Sequence, residues 1–144
     1  MKLSMTYSVK IKRLNHIFMD TVRLYRQAVS FFMDVCLQEW DTISSGKTQK
    51  ERVNLVESLT VASKKNPSVP YDFGADFYKF PSYLRRAAIA EALGKVSSYQ
   101  SNLARWEAAD PASRGEKPGL PQAGTVYPAM YRENMFIRTG TYQA

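Results

Sequence analysis

Between Asn15 and Ile43 apolar side chains recur at spacings of three and four: Phe18, Val22, Tyr25, Val29, Phe32, Cys36 and Ile43, with a gap at Glu39. On a helix these positions share one side, and Ile17, Leu24, Phe31 and Val35 widen the stripe. A face that broad is stable only against another apolar surface, so this stretch predicts a long core helix. The polar side carries Arg23, Arg26, Gln27 and Ser30, spaced to share a face. Two arginines there suit phosphate contacts, and they equally suit a solvated helix flank.

A second long helix is expected over Phe80–Glu107, FPSYLRRAAIAEALGKVSSYQSNLARWE, opening at Pro81, whose missing N–H is harmless in a first turn. Ile89, Leu93, Val96, Leu103 and Trp106 form its apolar stripe, with Tyr99 beside it, so Trp106 is assigned to the core. The other face is unusual. Gly94, Ser98, Ser101 and Arg105 follow one another at four, three and four residues, flanked by Ser97 and Asn102, while Arg85, Arg86 and Lys95 add charge. Glycine inside a helix costs about 1 kcal/mol relative to alanine, which suggests close approach by another backbone. Serine and asparagine hydrogen-bond to phosphate or to a ribose 2′-hydroxyl. A tight helix–helix crossing uses the same small residues, and spacing alone leaves the two readings level.

The remaining segments connect and flank these helices. Ser44-Ser45-Gly46 ends the first. Thr48 with Glu51 is a capping-box pattern for a helix with Val53, Val56, Leu59 and Ala62 inward, ending near Lys64. Lys65–Pro70 is a break, and Tyr71–Tyr78 is irregular with a short helical turn. Over Thr6–Leu14, Tyr7, Val9 and Ile11 alternate with Ser8, Lys10 and Lys12, which predicts a half-buried strand with a basic outer face. Lysines on a strand also simply protect a sheet edge. Asp110–Thr125 is rich in Pro, Gly and Ala and reads as an exposed basic loop. Val126–Tyr142 reads as extended, with Tyr127, Tyr131, Phe136, Ile137 and Tyr142 suited to strands. The expected class is α+β, mostly helical.

The net charge of +7, from 20 Lys+Arg against 13 Asp+Glu, favours a polyanionic partner. No apolar run approaches the roughly 20 residues of a membrane span. The N-terminus lacks the apolar region of a signal peptide. Cys36 is the single cysteine, so no internal disulfide is expected, and a cytoplasmic setting fits. Catalysis has little to work with. His16 is the lone histidine, no nucleophile–base set is spaced convincingly, and no glycine-rich phosphate loop is present. The pairs Asp72/Asp76 and Glu107/Asp110 are weak metal-ligand sets, and no cofactor is assigned within the chain. Tyr99, Tyr127 and Tyr131 are candidate stacking platforms for bases.

The run LRRAAIAEALGKVSSYQSNLARWE, followed by KPGLP and VYPAMYRENMF, resembles the N-terminal part of TnpB (OrfB)-type transposon-encoded RNA-guided nucleases, bacterial relatives of type V CRISPR effectors. The resemblance spans about residues 80 to 138 and is loose before them. It implies a β-barrel wedge domain begun by residues 1–14, a helical recognition module inserted over 15–109, a loop over 110–125, and a return to a truncated barrel over 126–144. It also implies binding of guide RNA and of the guide–target heteroduplex with target DNA, with help in reading a flanking DNA motif. The metal-binding carboxylates and zinc ribbon of that family are lacking, so cutting and its Mg2+ would belong to a downstream nuclease polypeptide. The expected contacts are Lys10, Lys12, Arg23, Arg26, Arg85, Arg86, Ser98, Ser101, Asn102 and Arg105, with Tyr127 and Tyr131 for stacking. Two other readings stand beside this one: a helical protein-interaction module, and a DNA-binding transposase domain that needs no guide.

Overall fold

The broad apolar stripe folds as α1, His16–Gln38, in a computed structural model that describes residues 3–5, 8, 16–128, 137–139 and 141–143. Tyr25, Ala28, Val29, Phe32, Met33, Val35 and Cys36 are buried along it. At Glu39 the backbone leaves helical geometry (φ −109°, ψ 22°) and resumes as α2, Trp40–Ile43. The expected single helix is therefore bent at the gap in its apolar pattern. Glu39 N–H still donates to Val35 O, and Ile43 N–H to Glu39 O, each at 2.9 Å. The bend keeps the backbone paired and brings Ile43 fully into the core.

Gly46 then passes so close to the next helix that a Cβ there would lie 2.9 Å from Arg52 Cγ and 3.1 Å from its backbone nitrogen. Arg52 closes the corner: its Nε donates to Gly46 O at 2.9 Å, and its guanidinium lies over the Trp40 ring. The capping box forms as the Thr48/Glu51 spacing predicts, opening α3, Gln49–Thr60. This helix stops short of the expected Lys64. Val61 is already extended, Ala62 is exposed, and Asn66 Nδ2 donates to the free Ser58 carbonyl at 3.3 Å.

The irregular aromatic segment contains α4, Phe73–Asp76. Phe73 is the centre of a ring cluster. It stacks on Phe32 at 4.8 Å and Phe77 at 4.5 Å, and meets Phe31 and Phe80 edge-on at 5.5 and 5.4 Å. Such pairs contribute about 0.5–1.5 kcal/mol each beyond the area they bury. Pro81 is the N-cap residue of α5, Ser82–Ala108. Its buried residues, Leu84, Ala88, Ile89, Ala92, Leu93 and Val96, end at Val96, so the last three turns bury none. α1 and α5 run antiparallel: Tyr25 feels the charge of Glu91, whereas Phe32 reaches Phe80 through Phe73.

The wedge-barrel architecture is overturned. The described strands are β1, Ile137–Thr139, and β2, Thr141–Gln143, one antiparallel hairpin with Arg138 opposite Tyr142. Closing a barrel takes several strands, and the apolar faces of the long helices are satisfied by one another instead. The strand expected over Thr6–Leu14 lies outside the described residues apart from Ser8, as do residues 129–136 and 140 of the extended stretch. Residues 126–128 carry no strand.

Burial pushes the Tyr25 hydroxyl up from 10.0 to about 12, with the Glu91 carboxylate adding to the effect, and pushes the Cys36 thiol from 9.0 to about 12. Both groups are neutral when protonated, and only the unfolded chain releases their protons at ordinary values. Stability should thus be unaffected by these groups below pH about 9 and fall as pH rises from there through 12. Urea midpoints measured across that range test this. Phe73→Ala should cost about 3–5 kcal/mol in the same assay, because four ring contacts are lost with the buried ring.

Candidate nucleic-acid interface

The second half of α5 buries little of its surface against the other helices, and its small-residue face is open. A Cβ built on Gly94 meets nothing within 4 Å. No backbone of the described residues uses the close approach that a mid-helix glycine permits, so the helix–helix crossing is not made within this chain's described part.

What lies beside that face is the 110–125 segment, which is more ordered than an exposed loop. Asp110 starts a turn: its carbonyl accepts from Ser113 N–H and Arg114 N–H at 3.0 Å each, and its Oδ1 from Ala112 N–H at 3.1 Å. Trp106 Nε1–H donates to Gly115 O at 2.8 Å, and the Arg114 guanidinium lies 3.8 Å from the Trp106 ring centroid. Trp106 is therefore not a core residue. It is half-buried and clasps the returning chain, because α5 has passed beyond α1's buried stretch by that point. The far end of the segment is pinned too. Ala123 is buried, Val126 packs on the core, and Arg26 Nε donates to Val126 O at 3.0 Å.

Held at both ends, the chain forms the second wall of an open groove of about 790 Å³. Gly94, Lys95, Ser98 and Asn102 line the helix side, and Pro118, Gly119 and Pro121 the loop side. Tyr99 and Gln122 add a ring and an amide, and Glu91 places one carboxylate near the lysine. The groove thus offers hydroxyl and amide hydrogen bonds, one cation and an aromatic edge. The two formal charges on its wall, Lys95 and Glu91, cancel.

The predicted contacts do not form one surface. Ser98 and Asn102 line the groove, while Ser101 and Arg105 are exposed nearby on α5 without forming its wall. Arg85 and Arg86 sit at the other end of α5 and share Glu57 Oε1 at 3.6 and 3.3 Å. Arg23 pairs with Asp20 at 3.4 Å. Arg26 is committed to Val126 and lies under the Tyr127 ring at 4.9 Å, so one face of Tyr127 is already covered. Arg23 and Arg26 line a separate cleft with Asp34 and Asp76. Lys10, Lys12 and Tyr131 lie outside the described residues. The loop wall was missed in the sequence because KPGLP has no periodicity; its prolines, which stiffen the segment, were the available signal. Among the described residues no three His, Cys, Asp or Glu side chains are grouped to hold a metal ion, and no helix is long and apolar enough to cross a membrane.

Gly94→Ala should raise stability by about 0.5–1 kcal/mol in urea denaturation, since the added methyl meets open space and lowers the entropy of the unfolded chain.

Among known proteins, the Aq_aa04 family model matches residues 5–144. Uncharacterized protein aq_aa04 of Aquifex aeolicus (strain VF5) is 29% identical over 125 residues, covering 76% of this chain and 68% of that protein. No solved structure matches.

Proposed function

The chain belongs to the Aq_aa04 family, and we propose that it is a nucleic-acid-binding module whose contact surface is the groove between α5 and residues 118–122. The observation that carries this reading is the unused face of α5. Gly94, Ser98 and Asn102 stand open in a long helix otherwise built to bury one side, and the pinned loop turns that face into a channel rather than a flat surface. The net charge of +7, from 20 basic against 13 acidic residues, supports a polyanion as the partner. The groove chemistry favours backbone and 2′-hydroxyl contacts over base reading.

The resemblance to TnpB-type recognition modules suggests guide RNA, and its heteroduplex with target DNA, as that partner. Under this reading the chain positions the strand, and a nuclease polypeptide elsewhere supplies metal and cleavage. A second reading rests on Leu120, which is 67% exposed beside the loop wall and suits a protein partner.

Filter binding of the full chain to a structured RNA and to duplex DNA across a salt series separates these readings. RNA affinity should fall steeply with salt. Lys95→Ala should lower the salt slope by about 1, and Asn102→Ala should weaken binding about tenfold, the loss expected for one charge-assisted hydrogen bond. Gly94→Ala should weaken binding while leaving the fold intact. Preference for bare DNA duplex would favour a guide-independent DNA-binding domain. Absence of binding to either nucleic acid at low salt would sink the proposal.

A further inference from the structure

At the opposite end of α5 a smaller cleft of about 300 Å³ lies between α4 and the end of α3, and it has cations on an aromatic wall. Lys79 and Arg85 line it beside Phe77 and Phe80, with Asp72 the carboxylate on its rim. Arg85 is the informative residue. It reaches Glu57 Oε1 with Nη2 at 3.6 Å, too long for a hydrogen bond, so that carboxylate oxygen and Arg85 Nε are both buried without a hydrogen-bond partner among the described residues. An unpaired buried donor is costly, and on a guanidinium more so. Lys79 shows the second cost. Its φ is +57°, the left-handed region that a lysine rarely occupies, and it is the single non-glycine residue there among those described. Its ammonium rests over the Tyr78 ring at 5.4 Å, held by no carboxylate among the described residues. Two unfavourable features, both belonging to cations on one cleft, mark a place where an external anion completes the structure.

We infer that this cleft binds a phosphate monoester carried on a nucleoside, with Arg85 and Lys79 on the phosphate and the half-buried Phe77 and Phe80 rings beside the base or sugar. Arginine offers phosphate a forked edge of N–H donors, and lysine a second charge, which suits a dianion better than a carboxylate. The volume lies at the lower edge of ligand pockets, about 300–1,000 Å³, so it has room for one nucleotide unit rather than a strand. Arg85 and Gly94 are nine residues apart, about half a turn around the helix, so the cleft and the groove face opposite sides. This inference is therefore independent of the proposed groove function. A phosphate monoester arises either on a free nucleotide or at the 5′ end of a strand.

The full chain is titrated at constant ionic strength with adenosine 5′-monophosphate, adenosine, a 5′-phosphorylated trinucleotide and its 5′-hydroxyl form, following the Arg85 Nε–H resonance by NMR. The monophosphate should bind and shift that resonance, and adenosine should not. Binding of the phosphorylated trinucleotide as well identifies a strand terminus as the source, and its exclusion identifies the free nucleotide. Lys79→Gly should weaken monophosphate binding at least tenfold while the protein keeps or raises its melting temperature, because glycine accepts the positive φ. The inference is overturned if adenosine or the 5′-hydroxyl strand binds as well as its phosphorylated counterpart, if no ligand moves the Nε–H resonance, or if Lys79→Gly binds like the parent.

Discussion

Tyr25, Val29, Phe32 and Cys36 on α1 and Ala88, Ile89, Ala92 and Val96 on α5 belong to one buried cluster, and nearly every other feature is placed by it. The alanines on α5 let the two helices come close along their shared stretch. Phe73 then fills the end of the interface, touching rings from α1 and from the approach to α5. Without that ring, α4 has no reason to stay, and Lys79, Phe80 and Pro81 lose the support that aims the start of α5.

The same contact explains why α5 has two characters. Its first half is held by α1 and α3. Its second half extends beyond the shared core and is free to carry a polar face. The chain then folds back, and Trp106 with Arg114 acts as a clasp instead of a core contact. A core helix thus ends as one side of a channel. On the other flank, the contact of Arg85 and Arg86 with Glu57 ties α5 to α3, while Arg85 Nε is left without a partner among the described residues.

Much of the helical frame was legible in the residues. The α1 stripe, the Thr48/Glu51 cap, the short helix after Tyr71 and the start of α5 within one residue all follow from local rules. The interruption at Glu39 even marked the bend. Long-range partnership was not legible. Trp106 continued the apolar spacing of Ile89–Leu103, so periodicity placed it inside, whereas the helix had by then run past its partner. Arg26 looked like a solvent-facing phosphate ligand, but Val126, a hundred residues away, accepts its hydrogen bond. The family resemblance implied a barrel, but the described strands form a single short hairpin.

The sequence by itself determined which stretches are helical, which side of each is apolar, that Gly94, Ser98, Ser101 and Arg105 follow one another at helical spacing with Asn102 flanking them, and that the chain is basic. Those properties depend on periodicity, capping and composition, which act over a few residues. Only the tertiary structure decided that nothing among the described residues packs on Gly94, that residues 118–122 form the facing wall, and that Arg85 keeps a buried donor unpaired. These depend on contacts between residues distant along the chain. Such contacts follow from how the long helices dock, which local spacing does not specify.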